Sequence, residues 1–216
     1  EYPPILLASF AELAARNGLA LIVDETYRDF HASTDIPHSL FQRSGWEETL
    51  IHLYSFSKAY RLTGHRVGAI ATSAARMAEI EKFLDTVAIC PNQVGQHATL
   101  WGMQNLDQWL AGERDEILHR RAAITRHMPA LADKGWALLG LGGYFAYMRH
   151  PFALSSAELA PLMVREAGVL CLPGTMFYPE DNAAGAAELR IAFANLDADG
   201  IATLFTRLEA LDLPRR

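Results

Sequence analysis

Residues 55–68 read SFSKAYRLTGHRVG, and the prediction of the fold starts from where this segment lies. It follows a continuous apolar run at Ile51–Phe56, and a further apolar run begins at Arg66. Lys58 therefore stands at the end of a predicted strand, shortly before a glycine and an arginine. The chain has three lysines against sixteen arginines. Lysine at this position indicates a need for a primary amine, which arginine cannot supply.

Three apolar runs predict strands of a parallel sheet. Leu19–Val23 is a run that stops at Asp24, and Ile51–Phe56 and Arg66–Thr72 are runs of the same kind. Strands without polar alternation are typical of parallel sheets covered on both faces. Helices are predicted at 5–16 and 74–87. Because doubly wound sheets usually have five or more strands, this part of the chain is expected to hold only part of a sheet.

The second half of the chain has a different pattern. A long stretch from 107 to 134 predicts a linking helix. Short strands are predicted after it at 136–141, 144–148, 169–172 and 189–193, with helices at 156–166 and 199–211. Phe145 and Tyr147 share a strand face and are expected in the core. The chain is therefore expected to divide into residues 1–126 and a small α+β domain at residues 127–216.

Composition excludes several classes of protein. Half of the 216 residues are apolar and the net charge is -6, which argues against a nucleic-acid-binding surface. No apolar run reaches the roughly 18 residues of a membrane span. Cys90 and Cys171 have no paired spacing, and the eight histidines have no metal-binding spacing. The sequence therefore predicts no disulfide, no metal site and a reducing, cytoplasmic setting.

Two further segments carry candidate functional residues, and each has a purely structural alternative. Asp24 ends a strand and begins the sequence DETY, so it either meets a ligand at the sheet edge or only caps the next turn. Arg190 lies between Leu189 and Ile191, and alternation places it on the opposite face. It either points to solvent or reaches into a site. For Lys58 the alternative is an exposed loop lysine.

Taken in order, these segments resemble the class I/II aminotransferases among the fold-type I pyridoxal-phosphate (PLP) enzymes. The resemblance covers nearly the whole chain and includes DETY, SFSKAYRLTGHRVG, the turn GGYF at 142–145, Pro173-Gly174, and LRIAFAN at 189–195. It implies an α/β fold with part of a mostly parallel large-domain sheet. Residues 1–126 would be the C-terminal part of the PLP-binding large domain, and residues 127–216 the small C-terminal domain.

The resemblance also implies a role for three residues around the cofactor ring. Lys58 would hold pyridoxal 5'-phosphate as a Schiff base and move the substrate proton. Asp24 would keep the pyridine nitrogen protonated, which makes the ring a better electron sink. Tyr27 would donate a hydrogen bond to the phenolate oxygen of the ring.

Four further residues would hold charged groups, as the resemblance implies. Ser55, Ser57 and Arg66 would hold the cofactor phosphate, with the arginine as a planar clamp. Arg190 would bind the α-carboxylate of the substrate. The expected reaction transfers an amino group between an amino acid and a 2-oxo acid, and the expected assembly is a homodimer.

Some expected family features differ or lie upstream. His65 stands where relatives often have an aromatic residue. The glycine-rich phosphate loop and the ring-stacking aromatic are expected before Glu1, so the chain is expected to be truncated at its N-terminus, and inactive and poorly stable by itself. Two alternatives stay open. One is another fold-type I PLP enzyme, such as a carbon–sulfur lyase or a decarboxylase. The other is the aminotransferase-like sensor domain of a transcription regulator.

Overall fold

The computed structural model describes residues 1–180 and 182–216, and they form an α/β fold. Two compact units follow one another in the chain, residues 1–114 and residues 115–216. The change from one unit to the next falls inside the long helix Asp107–Ala132. The domain boundary predicted at 126/127 lies in the same helix and stays a prediction. No helix within the described residues is long and apolar enough to cross a membrane.

The first unit contains three short strands among helices. Its elements are α1 (Pro4–Arg16), β1 (Leu21–Asp24), β2 (Leu50–Ser55), α2 (Phe56–Ala59), β3 (Gly68–Ala71), α3 (Ala74–Val87), α4 (Gln93–Asn105) and the start of α5 (Asp107–Ala132). Helix α1 begins with a proline in its first turn and ends before Gly18, which has a positive φ of 63°. Both features are common at helix ends. Helix α4 has no counterpart among the predicted helices.

The three strands form a sheet in the order β1-β2-β3. Strands β1 and β2 are parallel, with Asp24 opposite Leu53. Strand β3 is antiparallel to β2, so its assignment as a further parallel strand was wrong. The reason lies in residues 56–67, which contain only the single turn α2 and a 3-10 turn. A parallel return needs a longer crossover, usually a full helix.

The first run is covered on one face, and its expected burial on both faces of a complete sheet stays a prediction. Leu21 and Val23 pack against a cluster that includes Ala11 and Leu40. Ile22, on the opposite face of β1, is 61% exposed. Since β1 is four residues long and alternates between partly buried and exposed positions, only one of its faces is covered within the described residues.

The second unit is an antiparallel sheet with two helices that follow the predicted pattern closely. Its elements after α5 are β4 (Ala137–Gly142), β5 (Phe145–Arg149), α6 (Ser156–Ala167), β6 (Leu172–Pro173), β7 (Glu188–Ala192) and α7 (Ala198–Glu209). The sheet order is β4-β5-β7-β6. A capping box between Ser155 and Glu158 starts α6, and Gly168 with φ 60° ends it.

One core assignment in this unit needs correction. Along β5, Ala146 and Met148 are each 1% exposed, whereas the alternating residues Phe145 and Tyr147 are only partly buried. The core therefore lies on the Ala146 face. Phe145 and Tyr147 lie on the other face because side chains alternate along a strand.

Candidate functional site

The carboxyl ends of β1 and β2 place the sequence-predicted residues of the first unit. Asp24 is the last residue of β1 and Ser55 is the last residue of β2, and the two strands run parallel. The residues that follow both strands therefore start from the same edge of the sheet. In open α/β sheets this edge is where ligands bind.

Lys58 lies on a single helical turn that is anchored by its neighbours. The Ser55 side chain accepts a hydrogen bond from the backbone N–H of Ser57 at 3.3 Å and so caps α2. Phe56 and Ser57 are buried, and the Phe56 ring packs edge-on against Tyr54 with 4.9 Å between ring centroids. Lys58 itself is half-buried. The buried neighbours fix the turn, and the lysine is the side chain that it presents.

The loop after Lys58 folds back on the same turn. The Thr63 hydroxyl donates to the carbonyl of Ser57 at 3.0 Å, and Arg66 Nη1 donates to the carbonyl of Thr63 at 3.0 Å. Arg66 has a φ of 54°, which is uncommon for a residue with a side chain and is found at functional sites. At Gly68, a Cβ would lie 2.9 Å from the carbonyl oxygen of Tyr54, so only glycine fits there.

Asp24 combines a structural contact with an open carboxylate oxygen. Its Oδ1 accepts hydrogen bonds from the Thr26 backbone N–H at 3.0 Å and from the Thr26 hydroxyl at 2.7 Å. The side chain is exposed, and within the described part of the chain no hydrogen bond reaches its Oδ2. Asp24 and Tyr27 line one cleft, and Lys58 is not among the residues that line it. Asp24 therefore caps the turn with one oxygen, and the other has no hydrogen bond among the described residues.

A buried ionisable cluster lies directly behind Asp24, and sequence reasoning did not find it. Glu25 Oε2 lies 2.7 Å from His52 Nε2, and Glu25 Oε1 lies 3.0 Å from His38 Nε2 without hydrogen-bond alignment. All three side chains are less than 10% exposed. Burial by itself raises the pKa of Glu25. The hydrogen bond from His52 and the charges of His38 and Arg28 outweigh burial and hold that pKa below its ordinary value of 4.5.

The spacing of this cluster explains why the sequence pattern hid it. Glu25 and His52 are 27 positions apart, and only the pairing of β1 with β2 brings them together. No metal-binding spacing links the histidines either, so the sequence gives no sign that two of them meet Glu25. The cluster ties the end of β1 to β2, and so it fixes the backbone from which Asp24 projects.

Arg190 lies in the second unit, at the centre of a sheet face. It is opposite Tyr147 on β5 and Leu172 on β6. Leu189 and Ile191 are 0% and 3% exposed, whereas Arg190 is half-buried. The predicted alternation along β7 is confirmed. The side chain leaves the sheet on the face opposite the core.

Together the described residues supply a set of groups with complementary chemistry. A primary amine, two serine hydroxyls and a guanidinium are grouped within residues 55–66, and a carboxylate lies at the same sheet edge. An amine can bind an aldehyde carbon covalently. Hydroxyls and a guanidinium suit a phosphate, and a carboxylate suits a protonated ring nitrogen. The donor set fits a phosphorylated pyridine aldehyde.

Comparison with known proteins gives one family. The sequence model of the family described as "Aminotransferase class I and II" matches residues 2–208. The chain is 29% identical over 197 residues to an aspartate aminotransferase of Pyrococcus abyssi. The aligned region covers 87% of this chain and 48% of that protein. It is 28% identical over 196 residues to aromatic-amino-acid aminotransferase 2 of Thermococcus litoralis, with the same coverages.

Solved structures agree in fold. The aromatic aminotransferase from Pyrococcus horikoshii OT3 superimposes with a TM-score of 0.80 at 25% identity, covering 94% of this chain and 53% of that one. The chain therefore spans about half the length of the relatives that it matches.

Proposed function

Because this chain belongs to the class I and II aminotransferase family, we propose that it carries the lysine and substrate-binding arginine of a pyridoxal-phosphate-dependent transaminase. The reaction moves an amino group between an amino acid and a 2-oxo acid. The observation that carries the proposal is the capped turn that presents Lys58 at the carboxyl end of a parallel strand pair, with Asp24 at the same sheet edge.

When bound, the cofactor supplies an electron sink for the electron pair that the substrate α-carbon keeps when it loses its proton. Lys58 would hold the cofactor through its amine, and the same amine would carry the proton from the substrate α-carbon. Asp24 holds the proton on the ring nitrogen with its open Oδ2. Tyr27 donates to the phenolate oxygen.

The remaining residues bind and orient. Ser55 and Ser57 donate to the phosphate from the capped turn, and Arg66 neutralises its charge with the guanidinium N–H groups that Thr63 does not use. Arg190 holds the α-carboxylate of the amino acid or 2-oxo acid. Since every amino acid has this carboxylate, Arg190 sets the class of substrate and not its side chain.

The names of the relatives favour transamination over the alternatives. A carbon–sulfur lyase or decarboxylase would use the same lysine, aspartate and arginine, and a regulator's sensor domain would keep the same fold. The relatives compared above are named as aminotransferases. The homodimer, the cytoplasmic setting and the domain boundary at 126/127 stay proposals that rest on the resemblance and on composition.

The test is to locate the cofactor by chemistry. The protein, expressed from its full gene, is loaded with pyridoxal 5'-phosphate, reduced with borohydride and mapped by peptide mass. The pyridoxyl group should lie on Lys58. Lys82 and Lys134 serve as internal controls, because they are exposed and bonded to Glu79 and to the Glu209 carbonyl.

Lys58→Arg keeps the charge and removes the reactive amine. It should lower the rate by about 10²–10⁴-fold, the usual contribution of a positioned proton-transfer group, and more if covalent binding is also lost. A pyridoxyl label on Lys82 or Lys134, or full activity of the Lys58→Arg variant, would overturn the proposal.

A further inference from the structure

The guanidinium of Arg190 lies over the faces of two aromatic rings. Its central carbon is 4.3 Å from the centroid of the Phe145 ring and 4.6 Å from the centroid of the Phe177 ring. Both distances are well inside the range of about 6 Å over which a ring face attracts a cation. Phe145 comes from β5, and Phe177 comes from the 3-10 turn Gly174–Phe177.

Phe177 is held in place at both ends of its turn although the ring itself is 43% exposed. Gly174 passes so close to Gly185 that a Cβ on Gly174 would lie 2.6 Å from the Gly185 carbonyl oxygen. On the other side, the Tyr178 hydroxyl donates to Glu188 at 3.1 Å. The Tyr147 ring also packs edge-on against Phe177, with 6.2 Å between centroids. The ring is therefore placed by the backbone on either side of it.

Among the residues that the structure describes, no acid neutralises the charge of Arg190. Glu188 lies on the same face of β7, two residues away, but it is bonded to Tyr178 and lies 3.5 Å from Arg149. Within residues 1–180 and 182–216, Arg190 forms no ion pair. A half-buried guanidinium whose contacts are aromatic rings keeps its hydrogen-bonding edge for a ligand.

We propose that Phe145 and Phe177 are positioning residues that cover the faces of the Arg190 guanidinium and leave its N–H edge open. An open edge of this kind selects a planar carboxylate, which binds through two parallel hydrogen bonds. This inference rests on the proposed function and deepens it. The rings restrict the rotation of the arginine side chain before a ligand binds, so that less conformational entropy is lost on binding. They also cover the faces of the guanidinium, so that water hydrates those faces less.

Equilibrium binding tests the proposal without relying on turnover. The probes are pyruvate, 2-oxoglutarate and phenylpyruvate, titrated by calorimetry into the full-length protein. The protein is loaded with the aldehyde form of the cofactor, which 2-oxo acids bind beside without reacting. Phe177→Leu keeps an apolar side chain and removes the ring face. It should weaken binding of the tightest probe about tenfold, within the range that cation–π contacts give. Cofactor absorbance and the limiting rate of the amino-acid half-reaction should stay near the wild-type values.

Two controls separate positioning from general packing. Phe177→Tyr retains the ring face and should bind like the wild type. Met176→Ala changes a side chain that is 66% exposed on the same turn and should have no effect. In an Arg190→Ala background, Phe177→Leu should cause no further loss, because the two residues act as one unit. Phe145→Leu should repeat the Phe177→Leu result if the Phe177 variant is unstable.

The outcomes distinguish the inference from the function beneath it. If Arg190→Ala weakens binding and neither Phe177→Leu nor Phe145→Leu does, the aromatic positioning is wrong and the carboxylate role of Arg190 stands. If Arg190→Ala leaves binding unchanged, or the wild type binds none of the three probes, the proposed role of Arg190 fails and the inference fails with it. Equal losses from Phe177→Leu with and without Arg190 would show a packing effect only.

Discussion

The two compact units bury their apolar residues to very different extents. Of the twelve largest fully buried side chains among the described residues, eleven belong to residues 115–216, and Phe30 is the one in residues 1–114. Exposed large apolar side chains show the opposite distribution, with sixteen of twenty-one in the first unit. The second unit carries its own core. The first presents apolar faces on α1, β1, α3 and α4 that no described residue of that unit covers.

The difference follows from how each unit is layered. The second unit has a four-stranded sheet with one well-covered face, and α6, α7 and the part of α5 within this unit all bury apolar residues. The first unit has three short strands, and none of the fourteen residues of α3 is buried. Exposed apolar patches of this kind usually mark surfaces that another part of a protein covers. The candidate cofactor residues lie in the less self-sufficient unit, and the candidate substrate-binding Arg190 lies in the self-sufficient one.

Matched phenylalanine truncations give the largest expected difference between the units. Phe205, on α7, is 2% exposed, and Phe83, on α3, is 66% exposed. Phe205→Ala should lower the free energy of unfolding by about 3–5 kcal/mol, through lost burial and the cavity left behind. Phe83→Ala should change it by about 0.5 kcal/mol or less. Chemical denaturation followed by circular dichroism measures both. Equal losses would show that Phe83 is buried in the protein in solution, and the contrast between the units would disappear.

Acid should destabilise the second unit first, through His150. Burial and, to a smaller extent, the charge of Arg216 together lower the pKa of His150 to about 4. The folded state therefore keeps the ring neutral while the unfolded chain takes up a proton below its ordinary pKa of 6.5. Stability is fully present above pH 6.5 and falls on acidification towards pH 4, by on the order of 3 kcal/mol.

The control for this effect is His150→Phe, which keeps an aromatic ring beside Phe152 and removes the titration. Its unfolding free energy should be flat over the same pH range. Glu25 in the first unit has a lowered pKa, so its contribution should be lost only below about pH 4.5. A His150→Phe variant that loses stability between pH 6.5 and 4 as the wild type does would contradict the assignment to His150.

The smallest expected change in stability comes from an exposed tryptophan of the first unit, whose replacement should mainly change the stickiness of the surface. Trp101, on α4, is 58% exposed. Trp101→Gln should change the unfolding free energy of the 216-residue chain by about 0.5 kcal/mol or less, while it lowers binding of a hydrophobic dye and light scattering from self-association. Met176→Gln, in the second unit, is the matched control and should leave both signals nearly unchanged. A loss above roughly 2 kcal/mol for Trp101→Gln would mean that this face is already packed.

The sequence predicts those elements that depend on neighbouring residues better than those that depend on contacts between distant segments. Helices 5–16 and 74–87 and the elements of the second unit were predicted within a few residues because their apolar periodicity is local. Helix α4 was missed because its apolar residues have no clear helical stripe. The direction of β3 was wrong because a single strand pattern does not show which way its neighbour runs.

The residues of the candidate site also differ in whether local sequence features or distant contacts reveal them. Lys58, Asp24 and Arg190 were picked from residue type and from position at strand ends or in alternation, which are properties of neighbouring residues. The contacts of Glu25 with His38 and His52, and of Arg190 with Phe177, join residues that are 13 or more positions apart. No periodicity connects them, so they did not emerge before the structure.

By itself, then, the sequence determined the family and the type of most elements, and it supplied the candidate residues for the chemistry. It did so because amine, carboxylate and guanidinium groups and apolar periods are read residue by residue. Only the tertiary structure decided that Phe145 faces Arg190 and not the core, and that Glu25 is an ion-paired buried acid. Those outcomes depend on which side of a sheet is covered, and that is set by packing between segments far apart in the chain.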